Sequence, residues 1–204
     1  YFDDDIQGQV NVTMRPLQPG SSFKPIIYTA AFEAGYTPNT IVWDALTNFG
    51  TSTGTYTPNN YNLETIGPVT LRKALQGSLN IPAVKVLYLI GVESGLDFAE
   101  RLGYSTFEDR SRFGLSIVLG GAEVELLEHV TAYSVFANEG TLYEPVSILS
   151  VEDADGEMLQ EWEEVAGEDA LDGKYARMIT NVLSDNNARA YAFGTGSYLQ
   201  LGSR

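Results

Sequence analysis

Cysteine is absent from the 204-residue chain, and histidine occurs once, as His129. The first absence excludes disulfides and thiolate metal sites; it leaves the compartment open, since many exported proteins also lack cysteine. The second excludes a multi-histidine metal site, and any Ser-His-Asp triad would depend on that one residue. Positive charge is scarce too: 12 Lys and Arg stand against 27 Asp and Glu, a formal net charge of −15. So acidic a surface repels phosphate backbones, which argues against a nucleic-acid partner, and it offers no polybasic patch to anionic lipid. No run of about 18 apolar residues occurs, so no segment reads as a membrane-spanning helix, and no signal peptide is visible. What is present is a hydrophobic fraction of 44%, enough for one good-sized core with at most a small appendage. The chain opens on Tyr1 and closes on Leu201-Gly202-Ser203-Arg204. We read 1–204 as an internal segment of a longer protein, forming part of one domain.

The patterning predicts mostly helices. Residues 1–19 read as a short extended stretch, with Ile6, Val10 and Val12 alternating, and a loop broken by Pro16 and Pro19. A helix is expected over 21–34, with Phe23, Ile26, Ile27, Ala30 and Ala31 on one face and Gly35 as its stop. Pro25 is tolerable only in a first turn, which places the helix start at or near Ser21. Residues 36–68, rich in Thr, Asn, Gly, Pro and Tyr, read as a long ordered loop. Further helices are expected over 69–75, 81–90 (Val84, Leu87 and Tyr88 inward), 95–102, 123–138 (Val124, Leu127, Val130, Tyr133 and Phe136 inward) and 175–183. Residues 144–162 read as a β-hairpin turning at Asp155-Gly156, with Val146, Ile148 and Val151 on one arm and Met158 and Trp162 on the other.

Two places carry candidate chemistry. Ser21 and Lys24 are three apart at a helix start, so both side chains share a face. A serine hydroxyl needs a base before it attacks, and a lysine serves if burial or neighbouring charge leaves it partly neutral. The helix N-terminus adds free N–H groups that face a developing oxyanion. Alone, Ser-x-x-Lys is expected by chance about once per 200 residues, and an N-capping serine beside a solvated lysine also accounts for it. Ser78-Leu79-Asn80 lies at a junction between two expected helices. A hydroxyl there can relay a proton, and a carboxamide can bind a substrate amide or orient Lys24; a plain helix cap fits as well.

The surroundings of these motifs are more specific. Arg15-Pro16, Gln18-Pro19-Gly20-Ser21-Ser22-Phe23-Lys24-Pro25 and Tyr56-Thr57-Pro58-Asn59-Asn60-Tyr61 come in that order. Gly67-Pro68-Val69-Thr70-Leu71-Arg72-Lys73-Ala74-Leu75 then leads to Ser78-Leu79-Asn80-Ile81-Pro82-Ala83-Val84. Leu119-Gly120, Ala132-Tyr133, Phe136-Ala137-Asn138, Gly140 and Pro145 follow. Together they resemble the transpeptidase domain of class A penicillin-binding proteins, over residues 8–204. The resemblance implies an α+β fold of the β-lactamase/transpeptidase type, this segment holding mainly the helices and most of the antiparallel sheet lying outside it. It implies serine acyl transfer on the D-alanyl-D-alanine end of peptidoglycan stem peptides. Ser21 would be the nucleophile, Lys24 its base, Ser78 a proton relay and Asn80 a substrate-binding residue that also contacts Lys24. One oxyanion donor would be the Ser21 N–H. β-Lactams would acylate the same serine, and no metal or organic cofactor is implied. The parent would act outside the cytoplasmic membrane, reaching it only through an N-terminal anchor.

The family's third motif, Lys-Thr-Gly or Lys-Ser-Gly, is absent: none of Lys24, Lys73, Lys85 and Lys174 is followed by either pair. The pattern around Phe193-Gly194, Leu199 and Arg204 places it a few residues further on, so this segment by itself is expected to be nearly inactive. Ser184-Asp185-Asn186 matches a β-lactamase motif but comes too late for that role and reads as a helix end. His129 reads as a helix-surface or packing residue. The carboxylates Glu161, Glu163, Glu164, Glu168 and Asp169 read as a solvated face. Trp43, Tyr56 and Tyr61 fit either a substrate groove or a loop anchor. A β-lactamase or penicillin sensor, separable by acyl-enzyme lifetime, and a non-catalytic peptidoglycan-binding module are the rival readings.

Overall fold

The computed structural model describes residues 3, 5, 8–51, 54–163 and 165–196. Ile6, Glu164, Leu199 and the closing Leu201–Arg204 lie outside them. A 3₁₀ turn, Gly20–Phe23, runs into helix α1, Lys24–Glu33. The antiparallel strands β1 (Ile41–Asp44), β2 (Phe49–Thr51), β3 (Gly54–Tyr56) and β4 (Gly67–Thr70) follow. Helices α2 (Leu71–Gln76), α3 (Asn80–Ile90) and α4 (Val92–Arg101) come next, then a 3₁₀ turn over Leu115–Leu119 and α5 (Leu126–Ala137). The chain continues through β5 (Thr141–Leu142), β6 (Ser150–Glu152), β7 (Met158–Glu161) and β8 (Glu168–Asp169) to α6 (Gly173–Leu183) and α7 (Asn186–Phe193).

Helix α1 is the axis of the core. Every residue from Lys24 to Phe32 is buried, so the helix is enclosed all round rather than amphipathic. It packs against α2, α3, α4, α6 and the 115–119 turn. Pro25 sits in its first turn, and Gly35, at φ 100°, follows its end. Among the described residues the strands pair two by two: β1 with β4, β2 with β3, β5 with β8 and β6 with β7. The fold is therefore mixed helix and strand with short sheets, as the α+β expectation requires.

Several expectations are corrected in detail. The 21–34 helix starts as a 3₁₀ turn and becomes α-helical at Lys24. The 36–68 loop contains β1–β4: strands of three or four residues are too short to show a period of two, and Pro68 falls within β4, where proline normally argues against a strand. Helix α5 begins at Leu126, so Val124 instead pairs with Leu17 in an isolated bridge. Its buried residues are Ala132, Val135 and Phe136, while Leu127 and Val130 are exposed. Tyr88 of α3 is exposed too, its ring tilted against Phe49. The 144–162 hairpin pairs through β6 and β7, with a register shift at Val151/Glu152, and the Trp162 N–H to Leu149 and Asp153 N–H to Glu157 carbonyl bonds flank them.

Candidate active site

The turn carrying Ser21 is shaped by two glycines. Gly20 adopts φ 57°, and Gly120 lies flat on its backbone: a Cβ on Gly120 would sit 2.1 Å from the Gly20 nitrogen. Only glycine fits such a contact, and Gly120 is itself left-handed at φ 81°. Leu119-Gly120, distant in sequence, therefore clamps the turn that starts α1.

Lys24 lies one step inside. Its side chain is buried, 1% exposed, and Nζ donates to the Ser78 carbonyl at 2.7 Å, to Ser78 Oγ at 3.2 Å and to Asn80 Oδ1 at 2.8 Å. An ammonium has three protons, so these acceptors saturate it. Burial lowers the Lys24 pKa to about 8, because desolvation disfavours the charged form. At pH 7 roughly a tenth of the amine is then neutral. The structure thus brings Lys24, Ser78 and Asn80 into one cluster, with exposed Ser21 at the mouth. Ser21 and Ser78 share the lining of a cleft of about 650 Å³ with Asn60, Tyr61, Glu64 and Asn80. They also share a second cavity of about 480 Å³ with Lys24, Gln76, Tyr133 and Arg189.

Ser78 stands at φ 51°, a left-handed conformation unusual for a side-chain-bearing residue and worth of order 1–3 kcal/mol of local strain. Its N–H bonds the Leu75 carbonyl, and the Leu79 N–H bonds that of Ala74. These two bonds close the end of α2 and aim the Ser78 carbonyl and hydroxyl at Lys24.

Asn80 is held by a buried network whose roles the sequence reading did not assign. Asn60 Oδ1 accepts from the Asn80 N–H at 2.8 Å and the Ile81 N–H at 3.2 Å, binding the first turn of α3. Asn60 Nδ2 donates to both Asp44 oxygens, at 2.8 and 3.0 Å, and to the Glu64 carbonyl. Asp44 is fully buried and also accepts from the Ile66 N–H. Asn80 Nδ2 donates to the Asn59 carbonyl. A visible signal was the single carboxylate closing the apolar run Ile41-Val42-Trp43-Asp44, since buried charges are retained where hydrogen bonds satisfy them.

The remaining candidates divide. Tyr61 is fully exposed and lines the larger cleft; Trp43 and Tyr56 line neither cavity. Ser184 closes α6, and Asp185 caps α7 by accepting from the Ala188 N–H, so Ser184-Asp185-Asn186 is a helix junction. Glu161, Glu163, Glu168 and Asp169 are exposed. No group of three metal-ligating side chains occurs among the described residues. His129, expected to pack or face solvent, is half-buried with its ring against Tyr104 and Tyr133, and it also bonds Ser22 and Tyr104.

A family model described as the penicillin binding protein transpeptidase domain matches residues 7–201. Penicillin-binding protein 1A of Neisseria meningitidis serogroup B is 35% identical over 175 residues, covering 82% of this chain and 22% of the relative. The chain thus spans about a fifth of the length of the curated relatives it matches. The structure of penicillin-binding protein 1A from Haemophilus influenzae superposes with a TM-score of 0.80 at 26% identity, over 89% of this chain and 31% of that one. Penicillin-binding protein A of Mycobacterium tuberculosis, solved as an imipenem acyl-enzyme complex, gives 0.76 at 19% identity over 90% of this chain and 50% of that one, a likeness of fold alone.

Proposed function

The chain belongs to the penicillin-binding protein transpeptidase family, and from that premise we propose that it carries the nucleophile and base of a D,D-transpeptidase that cross-links peptidoglycan. The observation that carries this reading is buried Lys24, its pKa lowered to about 8 and its amine bonded to Ser78 and Asn80 beside exposed Ser21. Residues 1–204 are read as part of the transpeptidase domain, with the hairpin within 144–162 as its outlying arm.

In the proposed reaction Ser21 Oγ attacks the carbonyl of the penultimate D-alanine, and its proton passes to neutral Lys24. The Ser21 N–H stabilises the oxyanion. Collapse breaks the peptide bond, and terminal D-alanine leaves with a proton returned from Lys24 through Ser78. An amine of a neighbouring stem peptide attacks the Ser21 ester, loses its proton along the same route, forms the new amide and frees Ser21. Asn80 orients Lys24 through Oδ1; its second amide proton and second lone pair remain for a substrate amide. β-Lactams enter the same path and stop at the acyl-enzyme. These steps move protons and acyl groups only, so the proposal invokes no cofactor. Peptidoglycan as substrate implies action at the extracytoplasmic face of the membrane.

Full-length parent protein treated with a fluorescent penicillin should label stoichiometrically, and Ser21→Ala should abolish the label. Undiminished labelling or cross-linking by Ser21→Ala would refute the assignment. None of the lysines in 1–204 is followed by Thr-Gly or Ser-Gly, the motif expected to supply the carboxylate site and second oxyanion donor. Losing one such donor commonly slows reaction about 10²–10³-fold. A polypeptide of these 204 residues is therefore proposed to acylate slowly at best, and rapid stoichiometric labelling by intact mass would overturn that.

A further inference from the structure

The residue after the nucleophile is tied to segments distant in sequence by a chain of three side chains. Ser22 Oγ donates to the Pro19 carbonyl at 2.6 Å and lies 2.9 Å from His129 Nε2. On the far side of the ring, Nδ1 lies 2.6 Å from the Tyr104 hydroxyl. Tyr133, one turn along α5, donates to the Ser22 carbonyl at 2.6 Å. The turn Gly20–Phe23 is thus held through Ser22 at its hydroxyl and at its carbonyl.

Proton counting assigns the tautomer. A hydroxyl has one proton, and that of Ser22 is committed to Pro19, so its oxygen accepts from His129 Nε2–H. A neutral ring then carries a lone pair at Nδ1, which accepts from Tyr104. In this state every proton of the chain has an acceptor. Protonation at Nδ1 removes that lone pair and places an N–H against the buried Tyr104 O–H, stranding one of the two protons.

We propose that neutral His129 is a positioning residue for the Ser21 turn, and that the Tyr104–His129–Ser22 chain makes acylation sensitive to mild acid. This rests on Ser21 being the nucleophile. His129 touches neither substrate nor Ser21; it acts through Ser22. The ring is faced by tyrosines, with carboxylates on its own helix, and burial is what favours its neutral state. Tyr104 and Tyr133 face it, and burial raises both their pKa values. On its own helix, Glu125 lies one turn before it; neighbouring Glu128 accepts from Ser105 through Oε1, its buried Oε2 has no hydrogen-bond partner among the described residues, and its charge helps raise the Tyr104 pKa. The loop bridged to Val124 through Leu17 carries Arg15. The nucleophile turn presents Ser22, and Lys24 beyond it is directed to Ser78 and Asn80. Burial lowers the His129 pKa below its ordinary 6.5, so the ring is neutral at pH 7 and charges only in acid.

The test is the penicillin acylation rate of the full-length parent between about pH 5 and 8.5, in wild type, His129→Gln, His129→Leu and Ser21→Ala. Lys24 alone gives a log-rate slope of about one below its pKa. Wild type should steepen toward about two below pH 6.5 as a second proton binds. His129→Gln keeps a donor at the Nε2 position without titrating, so it should hold the neutral-pH rate within about threefold and lose the steepening. His129→Leu should lose about tenfold at neutral pH and also show a single slope. A wild-type profile that never steepens, or steepening that persists in His129→Gln, overturns the proposal while Ser21-dependent labelling leaves the transpeptidase reading intact. Labelling that survives in Ser21→Ala, or none in wild type, overturns both.

Discussion

Helix α1 and the arm over 143–167 are both rich in apolar side chains, yet they end in opposite environments. From Lys24 to Phe32 everything on α1 is buried, including a lysine and a threonine. On the arm, Ile148, Leu149, Leu159 and Val165 are each more than 60% exposed. Helix α1 has helices on several sides, whereas β6 pairs with β7 alone in a two-stranded sheet. A lone hairpin cannot cover its own faces. Local hydrophobicity therefore did not decide burial; the number of neighbouring elements did. The same enclosure that buries Ile26 and Ile27 also desolvates Lys24, so core packing and candidate chemistry share one cause.

Breaking this contrast on the α1 side should have the largest effects. Gly120→Ala drives a methyl into the Gly20 backbone at a left-handed position; we expect about 4 kcal/mol of destabilisation in chemical denaturation and loss of acylation. Ile27→Ala leaves a cavity inside the core and should cost about 3–4 kcal/mol in the same measurement. Asn60→Leu strands the buried Asp44 carboxylate and frees the Asn80 and Ile81 N–H groups. Destabilisation of about 3 kcal/mol should accompany slower acylation.

A gentler probe is pH. With the Lys24 pKa lowered to about 8, acylation should rise at least about tenfold between pH 6 and 7 and level off above 8. Stability follows the sign for a base whose pKa the fold depresses: the contribution of Lys24 is present above 10.5 and is lost as pH falls through about 8. A rate already flat at pH 6 would show that Lys24 is not the titrating base. The smallest change belongs to the arm. Leu159→Ser should shift stability by less than about 0.5 kcal/mol, and a cost comparable with Ile27→Ala would show the arm to be packed after all.

The contrast also explains what was legible. Helices announced themselves where local rules suffice: Pro25 in a first turn and Gly35 after α1. Strands β1–β4 did not, because they are too short to display a period, and pairing Ile41 with Thr70 depends on a loop closing. The inward face of α5 was misplaced because its start, and hence its phase against its neighbours, is set by the Leu17–Val124 bridge. His129 had ordinary surroundings in sequence, and Asn60, though inside a motif of the resemblance, showed no role there; what each does depends on partners the fold brings to it.

The sequence by itself determined that Ser21 and Lys24 share a helix start, since residues three apart are neighbours on any helical turn. It determined the acidic surface, and it carried the family resemblance through the order of its motifs. Tertiary structure decided the state of those residues. Lys24 meets Ser78 and Asn80 across 54 and 56 positions of chain, and Ser22 meets His129 across 107. Desolvation and hydrogen-bond partners arise only when such segments close on one another. A motif can therefore nominate a nucleophile and a base, while the lowered pKa of the proposed base comes from the fold.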